Sequence, residues 1–195
     1  NIFFLIKIYI IYIMVIYQPK ELNSIEFELR NNKAAIVNTD TVMGIVSLDK
    51  KNIYKIKKRP HYKKLVLFIK KFEELGIFSS NEIKVLKQYW PGKLTIVKDK
   101  IAYRVPNDNF LLNLLDRVTF LYSSSANISG KQPINNLDDA QKIFKSSRSL
   151  LILVDNKRKI DENSKPSTII NLDTKKVLRS GNLDGEKILK EIYNE

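Results

Sequence analysis

Cysteine is absent from the 195 residues, and histidine occurs once, at His61. The first absence excludes disulfides and thiolate catalysis. The second excludes His-based metal cages and histidine relays. A chain without cysteine suits a reducing, cytoplasmic setting. Glycine is scarce as well, and no Gly-rich dinucleotide fingerprint is present. The nearest approach to a phosphate loop, Gly181 to Lys187, is one residue short between its glycines and carries Glu186 where a phosphate would be repelled. There is no Gly-x-Ser-x-Gly elbow, so the serines at 123–125 are not a hydrolase nucleophile. Acid is in deficit: 34 Lys and Arg face 21 Asp and Glu, a formal charge of +13. That excess favours phosphate-bearing partners such as nucleotides, RNA or anionic surfaces. A lysine- and asparagine-rich composition accounts for many of those charges with no binding role. Arginine is sparing, at Arg30, Arg59, Arg104, Arg117, Arg148, Arg158 and Arg179. Each marks a place where a planar, bidentate donor is wanted.

The 44% hydrophobic content and the length suit one domain with a sizeable core. Residues 1–17 are nearly all apolar, with Lys7 inside them. They are shorter than the ~20 residues of a bilayer span and lack the basic start and cleavage site of a secretory signal. Stable membrane insertion is therefore not expected. The reading is an N-terminal extension over 1–17, with 1–13 lying upstream of a true start at Met14, followed by one domain over 18–195.

Helical and strand-like stretches alternate along that domain, which points to an α/β class. Leu22, Ile25 and Leu29 share one helical face. Ala34–Asn38, Leu65–Ile69 and Leu150–Val154 read as buried strands. Asn52–Lys58 is a short helix with Ile53 and Ile56 inward. Ser79 and Glu82 have capping-box spacing for a helix reaching Trp90. Leu94–Val97 and Ile101–Val105 form a hairpin around Lys98–Lys100. Asp108 or Asn109 caps a helix over Phe110–Leu115, and Val118–Tyr122 is a strand running up to the serines. Asn136 caps Leu137–Phe144. Lys157–Pro166 is a charged loop, Thr168–Leu172 and Lys176–Leu178 are strands, and Asp184–Tyr193 closes the chain as a helix. Strands this close make a mixed sheet with flanking helices the expected architecture.

Several segments place polar chemistry at strand or helix ends. Thr39-Asp40-Thr41 follows a buried strand, where ligands of open sheets gather; an ordinary Asx/Thr turn is the alternative. Lys57-Lys58-Arg59-Pro60 ends a helix, either as favourable charge at its C-terminus or as a phosphate clamp. Trp90-Pro91-Gly92 reads as core and turn. Arg104 lies near a strand end and requires an internal carboxylate or a ligand. Ser123 to Gly130 carries small hydroxyls and the Asn127 amide past a strand. Ser167 opens one strand and Arg179 ends another. No cation cage is legible, so any Mg²⁺ would arrive on the oxygens of a phosphate-bearing ligand rather than on protein ligands.

Taken in order, these segments resemble the YrdC-like family of threonylcarbamoyl-AMP synthases over roughly Ala34 to Gly181. The most specific matches are Lys57-x-Arg59 and Ser125-x-Asn127. Asn-Thr-Asp-Thr-Val-Met-Gly at 38–44 is similar to the family's Pro-Thr-Asp-Thr-Val-Tyr-Gly. Trp90–Thr95, Arg104-Val-Pro, Pro166-Ser-Thr-Ile and Leu178-Arg-Ser-Gly complete the series. The resemblance implies a twisted mixed α/β sheet with a basic concave cavity. It implies an ATP-dependent nucleotidyltransferase joining L-threonine, bicarbonate and ATP into threonylcarbamoyl-AMP and pyrophosphate. A partner transferase complex then modifies an adenosine of certain tRNAs to N6-threonylcarbamoyladenosine. By position, Thr39, Arg104, Ser123 and Ser167 would bind L-threonine. Lys57, Arg59, Ser125, Asn127 and Arg179 would bind ATP, with Lys57 and Arg59 acting in catalysis. Asn38, Met43, Lys64 and Lys93 depart from the pattern, and Met43 is expected to alter the pocket wall. The rival expectation is a double-stranded RNA or tRNA-binding module of the same fold without turnover.

Overall fold

The computed structural model describes residues 14–132, 134, 136–156 and 165–194. Its strands are β1 (Ile16–Tyr17), β2 (Ala34–Val37), β3 (Gly44–Ser47), β4 (Val66–Ile69), β5 (Leu94–Lys98), β6 (Ile101–Arg104), β7 (Phe120–Ser125), β8 (Leu151–Val154), β9 (Thr168–Asn171) and β10 (Lys176–Arg179). Its helices are α1 (Leu22–Arg30), α2 (Lys50–Lys57), α3 (Ser80–Tyr89), α4 (Asn109–Val118), α5 (Leu137–Ile143) and α6 (Gly185–Tyr193). The strands form one mixed sheet in the order β1-β8-β2-β3-β7-β4-β6-β5-β9-β10. Parallel pairs (β2–β8, β4–β6, β5–β9) sit beside antiparallel ones (β2–β3, β3–β7, β4–β7, β5–β6).

Alternation along β2 explains its continuous apolar reading, because both faces are covered. Ala35 and Val37 pack with Ile25 and Leu29 of α1 and Leu111, Leu114 and Leu115 of α4. Ala34 and Ile36 pack on the opposite side with Ile53 and Ile56 of α2 and Ala140 of α5. A third cluster joins Leu94, Ile96, Tyr103 and Ile170 to Val85 and Leu86 of α3 and to Ile188, Leu189 and Ile192 of α6.

Local signals set the helix ends. The Ser79 side chain accepts from Glu82 N at 3.3 Å, and Glu82 Oε2 accepts from Ser79 N at 2.6 Å, closing the capping box. Asp108, not Asn109, caps α4, and that helix runs on through Val118. Three other expectations change. Gly44–Ser47, assigned to no element above, is a full strand that pairs with both β2 and β7. The serines at 123–125 belong to β7 itself rather than following it. The folded unit also starts before residue 18: Met14 is buried in the core, and Ile16–Tyr17 pair with Leu153–Val154. The expectations for residues 1–13, and for most of the Lys157–Pro166 loop, lie outside the described residues. Among the described residues no helix is long and apolar enough to cross a membrane.

Candidate functional site

Strands β3, β4, β6, β7, β9 and β10 all send residues to one cavity of about 240 Å³. In a flat sheet β3 and β10 would lie about 29 Å apart at the usual strand spacing. The sheet therefore curls round the cavity. Its wall includes Thr39, Gly44, Arg59, Arg104, Ser123, Ser125, Ser167 and Arg179, with Val66 and Phe68 as its apolar floor. No carboxylate lines it among the described residues, and Lys64 adds a fourth cation.

Arg104 is held by an internal network. Its Nη2 donates to Asp40 Oδ1 at 2.6 Å, its Nη1 to Thr41 Oγ1 at 3.0 Å and its Nε to the Gly92 carbonyl at 3.0 Å. The pair is buried, with 5% and 2% of the two side chains exposed, and Phe68 lies under the guanidinium 5.7 Å away. The internal carboxylate that the strand required is thus Asp40, and Arg104 still reaches the cavity. Asp40 Oδ2 has no hydrogen-bond partner among the described residues.

Arg59 and Arg179 are held differently. Arg59 Nε donates to the Lys63 carbonyl at 3.1 Å and Nη2 to the Lys64 carbonyl at 2.8 Å. Arg179 Nε donates to the Ser167 carbonyl at 2.9 Å and Nη2 to Ser167 Oγ at 3.1 Å. Neutral acceptors position both guanidiniums without cancelling their charge. Burial lowers the pKa of Arg59. Burial, and then the nearby Arg104, lower that of Arg179. Among the described residues no carboxylate pairs with either guanidinium, and an anion in the cavity would supply the counter-charge.

The hydroxyls are preset by their own bonds. Thr39 Oγ1 donates to the Val42 carbonyl at 2.6 Å and accepts from Thr41 N at 3.1 Å, fixing the turn before β3. Ser167 Oγ shares a 2.8 Å hydrogen bond with Thr95 Oγ1. A Cβ on Gly44 would sit 3.2 Å from Thr39 Cγ2, so that position keeps turn and strand close.

Two expected wall residues lie behind the wall instead. Lys57 has no exposed surface, and its ammonium donates to the Ser125 carbonyl and, at 2.9 Å, to Asn127 Oδ1. Ser125 Oγ donates to the same Asn127 oxygen at 2.6 Å. Asn127 Nδ2 donates in turn to the Lys131 carbonyl at 2.6 Å. The Lys-x-Arg and Ser-x-Asn segments therefore interlock, with Lys57 and Asn127 bracing the end of β7 rather than facing a ligand. Burial, and then the Arg59 charge, push the Lys57 ammonium down to about 7. Helical phase accounts for this placement: Lys57 shares the buried face of α2 with Ile53 and Ile56. Lys58 then turns left-handed, with φ 49°, and delivers Arg59 to the cavity. Met43 is likewise fully buried in the core and does not line the cavity.

Sequence reasoning missed Asp40 as the named partner of Arg104, Thr41 and Thr95 as bracing hydroxyls, and Val66 and Phe68 as the floor. Thr95 carries a weak signal, being the one hydroxyl in an otherwise apolar run at 94–97.

Comparison with known proteins gives a consistent outcome. The family model Sua5_yciO_yrdC, described as Telomere recombination, matches residues 28–181. The uncharacterized protein MG259 of Mycoplasma genitalium is 34% identical over 161 residues, covering 83% of this chain and 35% of that protein. The putative threonylcarbamoyl-AMP synthase of Methanocaldococcus jannaschii is 28% identical, covering 89% of this chain and 91% of that one. The crystal structure of Pyrococcus abyssi Sua5 complexed with L-threonine superposes with a TM-score of 0.75 at 25% identity, over 91% of this chain and 60% of that one. The chain thus spans about a third of the length of the Mycoplasma relative.

Proposed function

The chain belongs to the Sua5/YciO/YrdC family, and from that membership we propose that it condenses L-threonine, bicarbonate and ATP into threonylcarbamoyl-AMP and pyrophosphate. The observation that carries the reading is the convergence of Arg59, Arg104 and Arg179 on one cavity with Thr39, Ser123, Ser125 and Ser167. Relatives named threonylcarbamoyl-AMP synthase, and a related structure holding L-threonine, support the choice of substrate.

In this reading the threonine amine condenses with bicarbonate to a carbamate: the new N–C bond replaces a C–O bond of bicarbonate, whose hydroxyl leaves with an amine proton as water. A carbamate oxygen attacks the α-phosphorus of ATP, the bond to the β-phosphate oxygen breaks, and pyrophosphate leaves. No protein nucleophile is required. Catalysis rests on positioning and on charge stabilisation. Arg59 and Arg179, held by neutral acceptors, neutralise the phosphates. Arg104, oriented by Asp40 and Thr41, receives the threonine carboxylate beside the Thr39, Ser123 and Ser167 hydroxyls. Lys57 and Asn127 act as positioning residues for Ser125. The cavity is smaller than the ~300–1,000 Å³ of common small-molecule sites. It suits the threonine moiety and the phosphates, with the adenosine extending to its mouth. The donors facing it are guanidiniums and hydroxyls, which suit phosphate oxygens and not a cation. Mg²⁺ accordingly enters with ATP as part of the substrate. The product is a mixed anhydride whose threonylcarbamoyl group a partner transferase would pass to tRNA.

The test is pyrophosphate release with threonine, bicarbonate and ATP omitted in turn. Release that requires all three supports the assignment; release that continues without threonine or without bicarbonate overturns it. A double-stranded RNA-binding module would show no release under any condition.

A further inference from the structure

A second cavity, of about 340 Å³, lies on the other face of the strands that floor the first. The β4–β7 register pairs Val66 with Ser123 and Leu67 with Tyr122. The first pair faces the arginine-lined cavity, and the second pair, with Leu65, lines this one. Its remaining wall is Tyr54 and Lys50 of α2, His61, Lys64, and the β5–β6 hairpin at Lys100–Ala102.

Its chemistry differs from the substrate cavity. Three exposed lysines, Lys50, Lys100 and Lys64 (the last bordering both cavities), rim it, and no carboxylate lines it among the described residues. None of the three ammonium groups has an ion-pair partner among the described residues, whereas Lys33, Lys70 and Lys98 each hold a carboxylate within 2.8 Å. The nearby Asp173 carboxylate is engaged by the backbone N–H groups of Asp99 and Lys100, at 3.1 and 3.3 Å. Three rings form the walls. The exposed His61 ring rests on the buried Tyr54 ring with centroids 4.6 Å apart. The Tyr54 hydroxyl is tied to the Lys63 carbonyl at 3.3 Å. Tyr122 is half-buried and fixed edge-on by Phe120 at 5.7 Å.

A preset aromatic slot rimmed by unpaired ammonium groups matches an unstacked nucleobase with its flanking phosphates. Rings offer faces for stacking, and lysines take phosphates as point charges. The geometry points to this cavity as a binding site for one splayed-out base of a single-stranded RNA, on the face of the sheet opposite the synthase cavity and sharing only Lys64 with it among the described residues. A single strand fits better than a lone nucleotide because the cations lie apart on three elements, α2, the 59–64 segment and the β5–β6 turn. That spacing follows a backbone rather than one phosphate group.

The test is fluorescence anisotropy of the full chain with a labelled oligouridylate of about ten nucleotides, a length within the usual ~4–16 nucleotide site range. The double variant Lys50→Glu/Lys100→Glu should weaken binding at least about tenfold, and its slope of log K against log salt should shrink by about 1.4, near 0.7 for each lost phosphate contact. His61→Ala should weaken binding by roughly fivefold or more through lost stacking. All three residues are exposed, so folding is not at stake. Lys142→Glu/Lys187→Glu, which changes net charge equally away from both cavities, should bind nearly as the parent does. Equal loss in that control, unchanged binding in the first two variants, or competition by duplex RNA as strong as by single strands would overturn the site. Competition by free uridine monophosphate at matched nucleotide concentration would overturn the strand assignment in favour of a mononucleotide. None of these readouts involves pyrophosphate release, so failure here and failure of the synthase reading are separable.

Discussion

Arg59 and Arg104 are both guanidiniums on one cavity wall, yet their electrostatics are opposite. Arg104 is neutralised from behind by Asp40 at 2.6 Å. The Arg59 guanidinium donates to the carbonyls of Lys63 and Lys64 and has no carboxylate partner among the described residues. A charge held without a counter-ion is the one free to follow charge that develops on a phosphate. Arg59→Ala should therefore lower kcat/KM for ATP by roughly 10²-fold or more, as expected for losing one preorganised donor. Steady-state pyrophosphate release measures this, and near-parental turnover would remove Arg59 from the mechanism. Lys57 makes a prediction of another kind. Its pKa falls from 10.5 to about 7 on folding, chiefly through burial. Between those values the unfolded chain binds the additional proton, so stability rises with pH from about 7 to about 10.5 and this contribution is flat below. Urea midpoints across that window should climb in the parent, and Lys57→Met should lose that climb. A parallel pH profile in the variant would show that the ammonium stays charged in the fold. The sequence showed the Lys-x-Arg pair but not which member faces the ligand. That depends on Lys58 going left-handed at the end of α2, which residue types at 57–60 do not dictate.

Elements decide where these side chains arrive. The capping box of α3, the inward phase of Ile53 and Ile56, and the β5–β6 hairpin were all legible, because each rests on contacts within a few residues. Strand β3 was not. Gly44-Ile-Val-Ser is short, opens on glycine, and earns its strand character only from β2 and β7 on either side. The serines at 123–125 read as loop for a similar reason: hydroxyls in a strand make sense only once β3 and β4 are seen to flank them across a polar cavity. The end of β10 shows how an element fixes a site residue two positions away. A Cβ on Gly181 would lie 2.4 Å from the Pro166 carbonyl and 2.5 Å from Thr168 N. These are backbone atoms on either side of Ser167, so the strand ends must part. Gly181→Ala should displace the Arg179–Ser167 pair and reduce kcat/KM for ATP by roughly 10²-fold, the scale of an ångström-sized misplacement. Ser180→Ala, at an exposed neighbour, should leave kcat/KM near the parental value. Equal activity of the two variants would show that β10 does not position the site.

At the scale of the whole molecule, the curl of the sheet brings Arg59 and Arg179 to one wall although 120 residues separate them. Folding gathers two cations, Arg59 half-buried and Arg179 exposed, on a wall with no carboxylate among the described residues, a repulsion that a bound anion removes. A multivalent anion that bridges both should therefore stabilise the fold more than its ionic strength explains. At a hundred times its dissociation constant, pyrophosphate would add about 2.7 kcal/mol. For a chain of this size that corresponds to a rise in Tm of about 5–10 °C. The double variant Arg59→Ala/Arg179→Ala should lose this rise while melting, without ligand, at or above the parental temperature, because the uncompensated charges are gone. Differential scanning calorimetry with pyrophosphate, and with sodium chloride at matched ionic strength, separates the two effects. If the double variant melted well below the parent and still gained the full shift, the guanidiniums would be structural struts and the anion would bind elsewhere. The cavity would then be a consequence of the sheet's curvature rather than the reason it is lined with cations.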